Sequence, residues 1–109
     1  MTQLEKLKAR LGIALNDTSK DILLNQLLED AESEMLDYTN RTELKQSMLG
    51  IQRDLVIVYY NRLGDEGINT RSEGGVSVSY STDIPDSIKA RLNQYRRLKI
   101  VGLANANQE

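Results

Sequence analysis

Five acidic residues of one predicted helix are the side chains of this sequence that could most readily perform acid–base chemistry. They are Glu29, Asp30, Glu32, Glu34 and Asp37. Two neighbouring carboxylates act as general acid and base only where a pocket separates their pKa values. The surrounding sequence shows no sign of such a pocket, and an acidic strip of this kind most often faces solvent. The pattern therefore favours a solvated face, or a surface complementary to a basic neighbour, over a small carboxylate enzyme.

Missing residue types narrow the chemistry further. The sequence has no histidine and no cysteine, which excludes Ser–His and Cys–His nucleophile pairs and the usual zinc sites. We therefore expect no catalytic residue, no metal and no cofactor. A net charge of −2 argues against a protein whose main task is to coat nucleic acid. No apolar run approaches the roughly 18 residues of a membrane helix, and the first residues lack a signal-peptide core, so we expect no membrane partner.

The stretch NRLGDEGINTRSEGGVSVSYS, residues 61–81, contains four of the seven glycines. A phosphate-binding loop would need a lysine after the glycines and a strand before them, and both are missing. The acids of the stretch also lack the alternating spacing of a calcium loop. The better fit is a hairpin arm at about residues 65–83, with Val76, Val78 and Tyr80 on one face. Since an isolated hairpin is marginally stable, the arm either folds onto its own domain or packs on another subunit.

The apolar spacing predicts four helices in one domain that spans residues 1–109. They are expected at about residues 4–11, 18–39, 43–63 and 84–99. Gly12 and Gly64 would end the first and third helices, because glycine adopts the left-handed conformation found there. Thr18 with Asp21 resembles a capping box at the start of the second helix. Gly50, inside the third helix, indicates a close approach between helices.

The predicted fold class is mainly α. We expect a small four-helix bundle with a long Gly-rich loop or β-hairpin arm between its last two helices. The C-terminal tail, at about residues 100–109, has no strong periodicity and is expected to be poorly ordered unless a partner holds it.

The second half of the third helix, DLVIVYYNRL, is apolar on nearly all sides. Such a helix is predicted to lie at the centre of the bundle or at a subunit interface. Tyr59 and Tyr60 cannot both lie on its core stripe, because adjacent helical residues point about 100° apart. One of the two is therefore expected at an interface or beneath the arm.

Three segments make the chain resemble a known family. A helix ending YYNRLGDEGI, the stretch RSEGGVSVSYS and a Pro-started helix ending QYRRLK are similar to the phage head-tail connector family, the adaptors that ring the portal of long-tailed phages. The similarity runs from the helix of Leu24 through Lys99, and residues 1–16 add little. It is most specific in Tyr60, Asn61, Gly64, Asp65, Glu66, Gly67, Gly74, Gly75, Tyr80, Tyr95 and Arg96.

The resemblance implies a structural virion protein at the head-tail interface, assembled in the host cytoplasm. Its expected partners are the portal protein, the next connector or stopper protein, and copies of itself in a ring that is dodecameric in the virion. DNA would pass through the channel without specific binding. The expected interaction residues are Tyr59, Tyr60, Gly64, Asp65, Glu66, Gly67, Gly74, Gly75, Val76, Val78, Tyr80, Arg91, Arg96 and Arg97.

The basic fourth helix leaves two further possibilities open. Its basic residues are Lys89, Arg91, Arg96, Arg97 and Lys99. In a ring, they could meet the acidic second helix of the next subunit. Alternatively, the chain is a small helical DNA-binding module that uses this basic C-terminal helix.

Overall fold

The computed structural model describes residues 1–63 and 81–98. Within these residues the chain is mainly helical, as the sequence predicts, and contains no strand. Four helices are present: α1 (Gln3–Leu11), α2 (Asp21–Thr39), α3 (Leu49–Arg62) and α4 (Asp86–Leu92). Short 3-10 turns at Gln46–Met48 and Asn93–Tyr95 precede α3 and follow α4. Most of the predicted arm and all of the predicted tail lie outside the described residues.

The start of α1 is fixed by a capping box that the sequence reasoning missed. The Thr2 hydroxyl accepts the backbone N–H of Glu5 at 3.1 Å, and the Glu5 carboxylate accepts the backbone N–H of Thr2 at 3.0 Å. These bonds satisfy two donors that a helix start leaves without partners. The predicted end at Gly12 is confirmed, because this glycine has the left-handed φ of 76°.

The predicted capping box at the start of α2 is wrong. The helix begins at Asp21, with Lys20 at the N-cap and no side-chain cap. Asp21 instead accepts a hydrogen bond from the Lys8 ammonium at 2.8 Å. Lys8 is 2% exposed, so burial of its charge depends on this pairing. The pair ties α1 to the first turn of α2.

Helices α3 and α4 are both shorter than predicted. Helix α3 begins at Leu49 rather than near Glu43, because the 3-10 turn takes the preceding residues. Gly50 makes no close helix approach, since an added Cβ would meet only the Arg53 side chain, at an ordinary 3.6 Å. Helix α4 ends at Leu92, so the basic residues 96 and 97 lie beyond it.

Helix α3 is the centre of the fold and packs against α1, α2 and α4. Its Leu55, Val56 and Tyr59 are fully buried, and no residue from 54 to 60 is exposed. This confirms the predicted burial of the helix on several sides. Each buried Leu or Val contributes roughly 1.5–3 kcal/mol to the free energy of unfolding. All four helices supply residues to the same core.

A buried glutamine fixes how α1 and α2 sit on α3. The Gln52 side chain donates to the Leu28 carbonyl at 2.9 Å and accepts from the Gln3 amide at 2.9 Å. Gln52 is 5% exposed, and an unpaired amide at this depth would cost about 1–3 kcal/mol. The three helices therefore meet in one register that satisfies it.

Candidate functional site

Residues 81–83 are tied to the last turn of α3 by two side chains. The Tyr59 hydroxyl donates to the Thr82 carbonyl at 2.8 Å. Arg62 donates from Nη1 to the Ser81 carbonyl at 2.6 Å and to the Asp83 carbonyl at 2.8 Å. We call Tyr59, Arg62 and residues 81–83 the loop anchor. The loop anchor holds residues 81–83, which follow segment 64–80, beside the end of α3, which precedes that segment.

Tyr59 is the buried member of the loop anchor. Its side chain is fully buried, and burial raises the pKa of its hydroxyl, with the nearby Glu34 carboxylate acting in the same direction. The hydroxyl therefore keeps its proton and donates. The Arg62 guanidinium lies 5.8 Å from the centre of the Tyr59 ring, and Thr82 donates to Glu34 of α2 at 3.4 Å.

Of the two adjacent tyrosines, Tyr59 lies beneath Thr82, at the end of the predicted arm, whereas Tyr60 is half-buried beside the core. Sequence reasoning missed Arg62. A signal was present, because an arginine in the last turn of a helix commonly hydrogen-bonds free carbonyl groups there. Which carbonyls it would reach required the three-dimensional path of the chain.

A second anchor holds the chain where the tail begins. Asn40 ends α2 in the left-handed conformation, with φ 58°, and its side chain donates to the Arg97 carbonyl at 2.9 Å. The Arg41 Nε donates to the Tyr95 carbonyl at 2.7 Å, and the Arg97 N–H donates to the Thr39 carbonyl at 2.9 Å. We call residues 39–41 and 95–97 the tail anchor. It places residue 98 against the C-terminal end of α2.

Tyr38 joins α2 to α4 next to the tail anchor. Its hydroxyl donates to the Asn93 side chain at 2.5 Å. The Arg96 guanidinium lies 4.7 Å and the Lys89 ammonium 5.7 Å from the centre of its ring, within the range of cation–π attraction. Two of the basic residues predicted to face a neighbour thus contact α2 of their own chain.

Arg91 belongs to a charged patch built from three helices. Its Nη1 lies 2.6 Å from one Asp54 carboxylate oxygen, and Arg10 Nη1 lies 2.7 Å from the other. Partial burial raises the pKa of Asp54, but the hydrogen bonds and charges of the two arginines outweigh it and lower the pKa below its ordinary value. Two guanidinium groups share one carboxylate and are about half exposed. The patch therefore presents net positive charge.

The acidic strip predicted on α2 is divided in the structure. Glu29, Glu32 and Asp37 are exposed. Asp30 accepts a hydrogen bond from Gln26 at 3.0 Å, and Glu34 contacts the loop anchor. We call the solvent-facing stripe of α2, which runs from residue 22 through 29 to 36, the outer face. It carries net negative charge, opposite to the Arg10–Asp54–Arg91 patch.

Nine of the predicted interaction residues lie outside the described residues. They are Gly64, Asp65, Glu66, Gly67, Gly74, Gly75, Val76, Val78 and Tyr80. Of the other five, Tyr59 lies in the loop anchor, Tyr60 packs against the core, and Arg91, Arg96 and Arg97 lie on or after α4. Within residues 1–63 and 81–98, no three acidic residues are arranged to hold a metal ion, and no helix is long and apolar enough to cross a membrane.

Comparison with known proteins gives one family. The model of the family described as phage gp6-like head-tail connector protein matches residues 1–96. The match spans all four helices, the loop anchor and the tail anchor except residue 97. It also includes residues 1–16, which added little to the resemblance seen in the sequence. Searches of curated proteins and of solved structures found no match.

Proposed function

Because the chain belongs to the phage gp6-like head-tail connector family, we propose that it forms a ring on the portal, extends the DNA channel and supports attachment of the next connector or of the tail. Membership of this family implies that the chain is a structural component of the virion and contacts other phage head and tail proteins. The observation that carries the proposal is the match over residues 1–96, which includes every described helix.

A ring requires two different surfaces on each subunit, because a head-to-tail contact joins unlike patches. The outer face of α2 and the Arg10–Asp54–Arg91 patch have opposite charge and are both exposed. We propose that the acidic face of one subunit lies near the basic patch of the next. Arg91 is the stronger candidate on α4, since Lys89 and Arg96 already contact Tyr38 of their own chain.

The proposed protomer is a four-helix bundle with an arm. Val76, Val78 and Tyr80 of the arm would contact a neighbouring subunit or the next connector. The loop anchor supports this proposal, because Tyr59 and Arg62 fix the point at which the arm rejoins the bundle. An arm with a fixed base reaches the same place in every subunit of a ring.

Neither catalysis nor DNA recognition is part of the proposed function. A recognition helix needs its basic residues on one exposed helix that enters a groove. Helix α4 has only seven residues, and Arg96 lies beyond its end. The described residues therefore offer little to the alternative of a helical DNA-binding module.

The proposal can be tested by co-expressing the chain with the portal protein of its phage and imaging the particles by electron microscopy. We expect a closed ring of the chain seated on the portal, with a continuous central channel. A chain that stays separate from the portal and is missing from completed virions would contradict the proposal. Tight, salt-dependent binding to DNA fragments by the free chain would favour the DNA-binding module instead.

A further inference from the structure

The two charged surfaces of the subunit lie on opposite sides of the pair of helices α2 and α3. The Gln52 side chain of α3 donates to the Leu28 carbonyl of α2 at 2.9 Å, so this side of α3 faces α2. Asp54 comes two residues later, about 200° further round the helix, and therefore faces away from α2. The Arg10–Asp54–Arg91 patch is thus built on the side of α3 that α2 leaves open.

The same reasoning places two acids of α2 on the other side. Ala31 is fully buried in the core, whereas Glu29, two residues earlier on the helix, is exposed. Glu32 is also exposed and lies one turn from Glu29. Neither carboxylate has an ion-pair partner among the described residues. We call Glu29 and Glu32 the acidic pair.

The third exposed acid of α2, Asp37, does not belong to this pair. It lines a groove at the C-terminal end of α2 together with Arg41, so its carboxylate has a cation of its own chain nearby. The uncompensated negative charge of the outer face is therefore centred on Glu29 and Glu32.

The patch keeps donors for a further carboxylate. Asp54 engages one nitrogen of each arginine, at 2.7 Å for Arg10 and 2.6 Å for Arg91. A guanidinium carries five N–H donors in a planar fork, which can bind a carboxylate through two parallel hydrogen bonds. The two arginine side chains are 49% and 48% exposed, so their remaining donors can reach a second molecule.

We propose that the acidic pair of one copy binds the Arg10–Asp54–Arg91 patch of a second copy of this chain. Residues three apart on a helix have their Cβ atoms about 5–6 Å apart, and two arginines that share one carboxylate also lie close together. Two carboxylates can therefore meet two guanidinium groups. The inference rests on the proposed function and deepens it, since it names the residues that join the subunits of the ring.

The opposite placement of the two surfaces makes the contact head to tail. Surfaces that face in opposite directions cannot both be used between the same two copies, so a dimer keeps one free acidic pair and one free patch. Each of these can bind a further copy, and such a contact builds a ring where its rotation closes. Pairing of two acidic pairs, or of two patches, would bring like charges together and is disfavoured.

Full-length variants can test the contact from both sides. Glu29→Arg reverses a charge of the acidic pair, and Arg91→Glu reverses a charge of the patch. Arg10→Glu, on another helix, is a second patch variant and should behave as Arg91→Glu does. The matched controls, Glu43→Arg and Lys45→Glu, make the same charge changes at exposed positions between α2 and α3. Circular dichroism and thermal unfolding check the fold, and electron microscopy measures ring assembly on the portal protein.

We expect Glu29→Arg alone and Arg91→Glu alone each to weaken ring assembly by about tenfold or more. One exposed ion pair has a small effect, but the change is repeated at every contact of the ring. The controls should behave as wild type. An equimolar mixture of the two variants should restore assembly, because the altered acidic pair then meets the altered patch and the unaltered halves meet each other.

The absence of cysteine from the sequence allows a second test by cross-linking. Ser33 lies one turn after Glu29, Ser87 lies one turn before Arg91, and both serines are exposed. A chain with both Ser33→Cys and Ser87→Cys, mixed with the portal and treated with a short thiol cross-linker, should give a ladder of covalent oligomers. Chains with either substitution alone should give none, because the proposed contact joins unlike surfaces.

Three results would overturn this contact: variants that assemble as wild type does, a mixture that fails to assemble, or single-cysteine chains that cross-link as the double variant does. A wild-type ring on the portal would leave the connector function standing in each case. Failure of the wild-type chain to assemble on the portal would contradict the connector function itself. If Arg91→Glu weakens binding to the portal and the mixture does not restore it, the patch binds the portal, and the second copy is the wrong occupant.

Discussion

The loop anchor and the tail anchor both tie an irregular segment to the end of a helix, but their surroundings differ. Leu63 before segment 64–80 and Ile84 after residues 81–83 are buried in the core. The tail anchor instead leads to Leu98, which is 80% exposed. Opening the loop anchor therefore disturbs the core on both sides of segment 64–80, whereas the tail anchor reaches the core through Thr39 and Tyr95 and ends at an exposed residue.

This difference suggests a division of tasks within a connector. An arm that must reach the same contact in each subunit needs a base that does not move, and the loop anchor supplies one. The tail anchor holds residues 95–97 against the end of α2 through part-buried hydrogen bonds from Asn40 and Arg41. We expect the largest change in global stability at Tyr59, the fully buried member of the loop anchor.

The largest expected effect comes from Tyr59, the residue shared by the core and the loop anchor. Tyr59→Ala should lower the free energy of unfolding by about 3–5 kcal/mol, because it empties a fully buried site. Tyr59→Phe keeps the ring and removes the hydroxyl that donates to the Thr82 carbonyl, which should cost roughly 1 kcal/mol. Urea denaturation measures both. Tyr60→Ala is the control at a half-buried position, and a loss as large as that of Tyr59→Ala would contradict the assignment.

Asn40 tests the tail anchor in the same way. Asn40→Ala should cost roughly 1.5–3.5 kcal/mol, because the left-handed conformation costs alanine about 1–2 kcal/mol and the bond to the Arg97 carbonyl is lost as well. Asn40→Gly keeps the backbone conformation and should cost less, about 0.5–1.5 kcal/mol for the hydrogen bond alone. Thermal unfolding compares the two. If glycine destabilises as much as alanine, the conformation at residue 40 is not what holds this end of α2.

Periodicity was enough to predict much of the fold. The spacing of Leu24, Leu27, Ala31 and Met35 predicted α2 and its buried face, and all four residues are fully buried. The start of α3 was missed because a 3-10 turn at Gln46–Met48 places Met48 in the core without a helix there. The spacing of apolar residues indicates which residues are buried, but it does not distinguish a 3-10 turn from a turn of α-helix.

The two anchors could not be predicted, because they join residues far apart in the sequence. Arg62 contacts carbonyls about twenty residues later, and Arg41 contacts the Tyr95 carbonyl. Backbone carbonyls are present at every residue, so the sequence carries no mark of which ones will accept. The basic residues after α4 were placed on a helix because their spacing fits one, but the chain turns at residues 93–95.

A substitution of Arg62 tests the loop anchor without emptying the core beneath it. Arg62→Met keeps most of the aliphatic stem but removes the bonds to the Ser81 and Asp83 carbonyls. We expect a modest loss, roughly 0.5–1.5 kcal/mol, confined to local opening of residues 81–84. Hydrogen exchange measured by mass spectrometry would show it. Arg53→Met is the matched control, since Arg53 is also a half-buried arginine of α3 but bonds Gln3 instead. Equal changes at residues 81–84 in both variants would contradict the anchor.

The smallest expected effect concerns the charge at the tail anchor. The Arg97 backbone is held by Thr39, so Arg97→Glu should leave the anchor closed while it reverses one of the charges that the sequence predicts at a contact with an acidic neighbour. Exposed ion pairs contribute only about 0.2–1 kcal/mol each, so ring assembly should weaken by about twofold to fivefold. High salt should weaken wild-type assembly in the same direction, because salt screens exposed charges. Lys6→Glu on α1 makes the same charge change elsewhere and should have no effect. Assembly that is indifferent both to high salt and to Arg97→Glu would contradict the proposed electrostatic pairing between subunits.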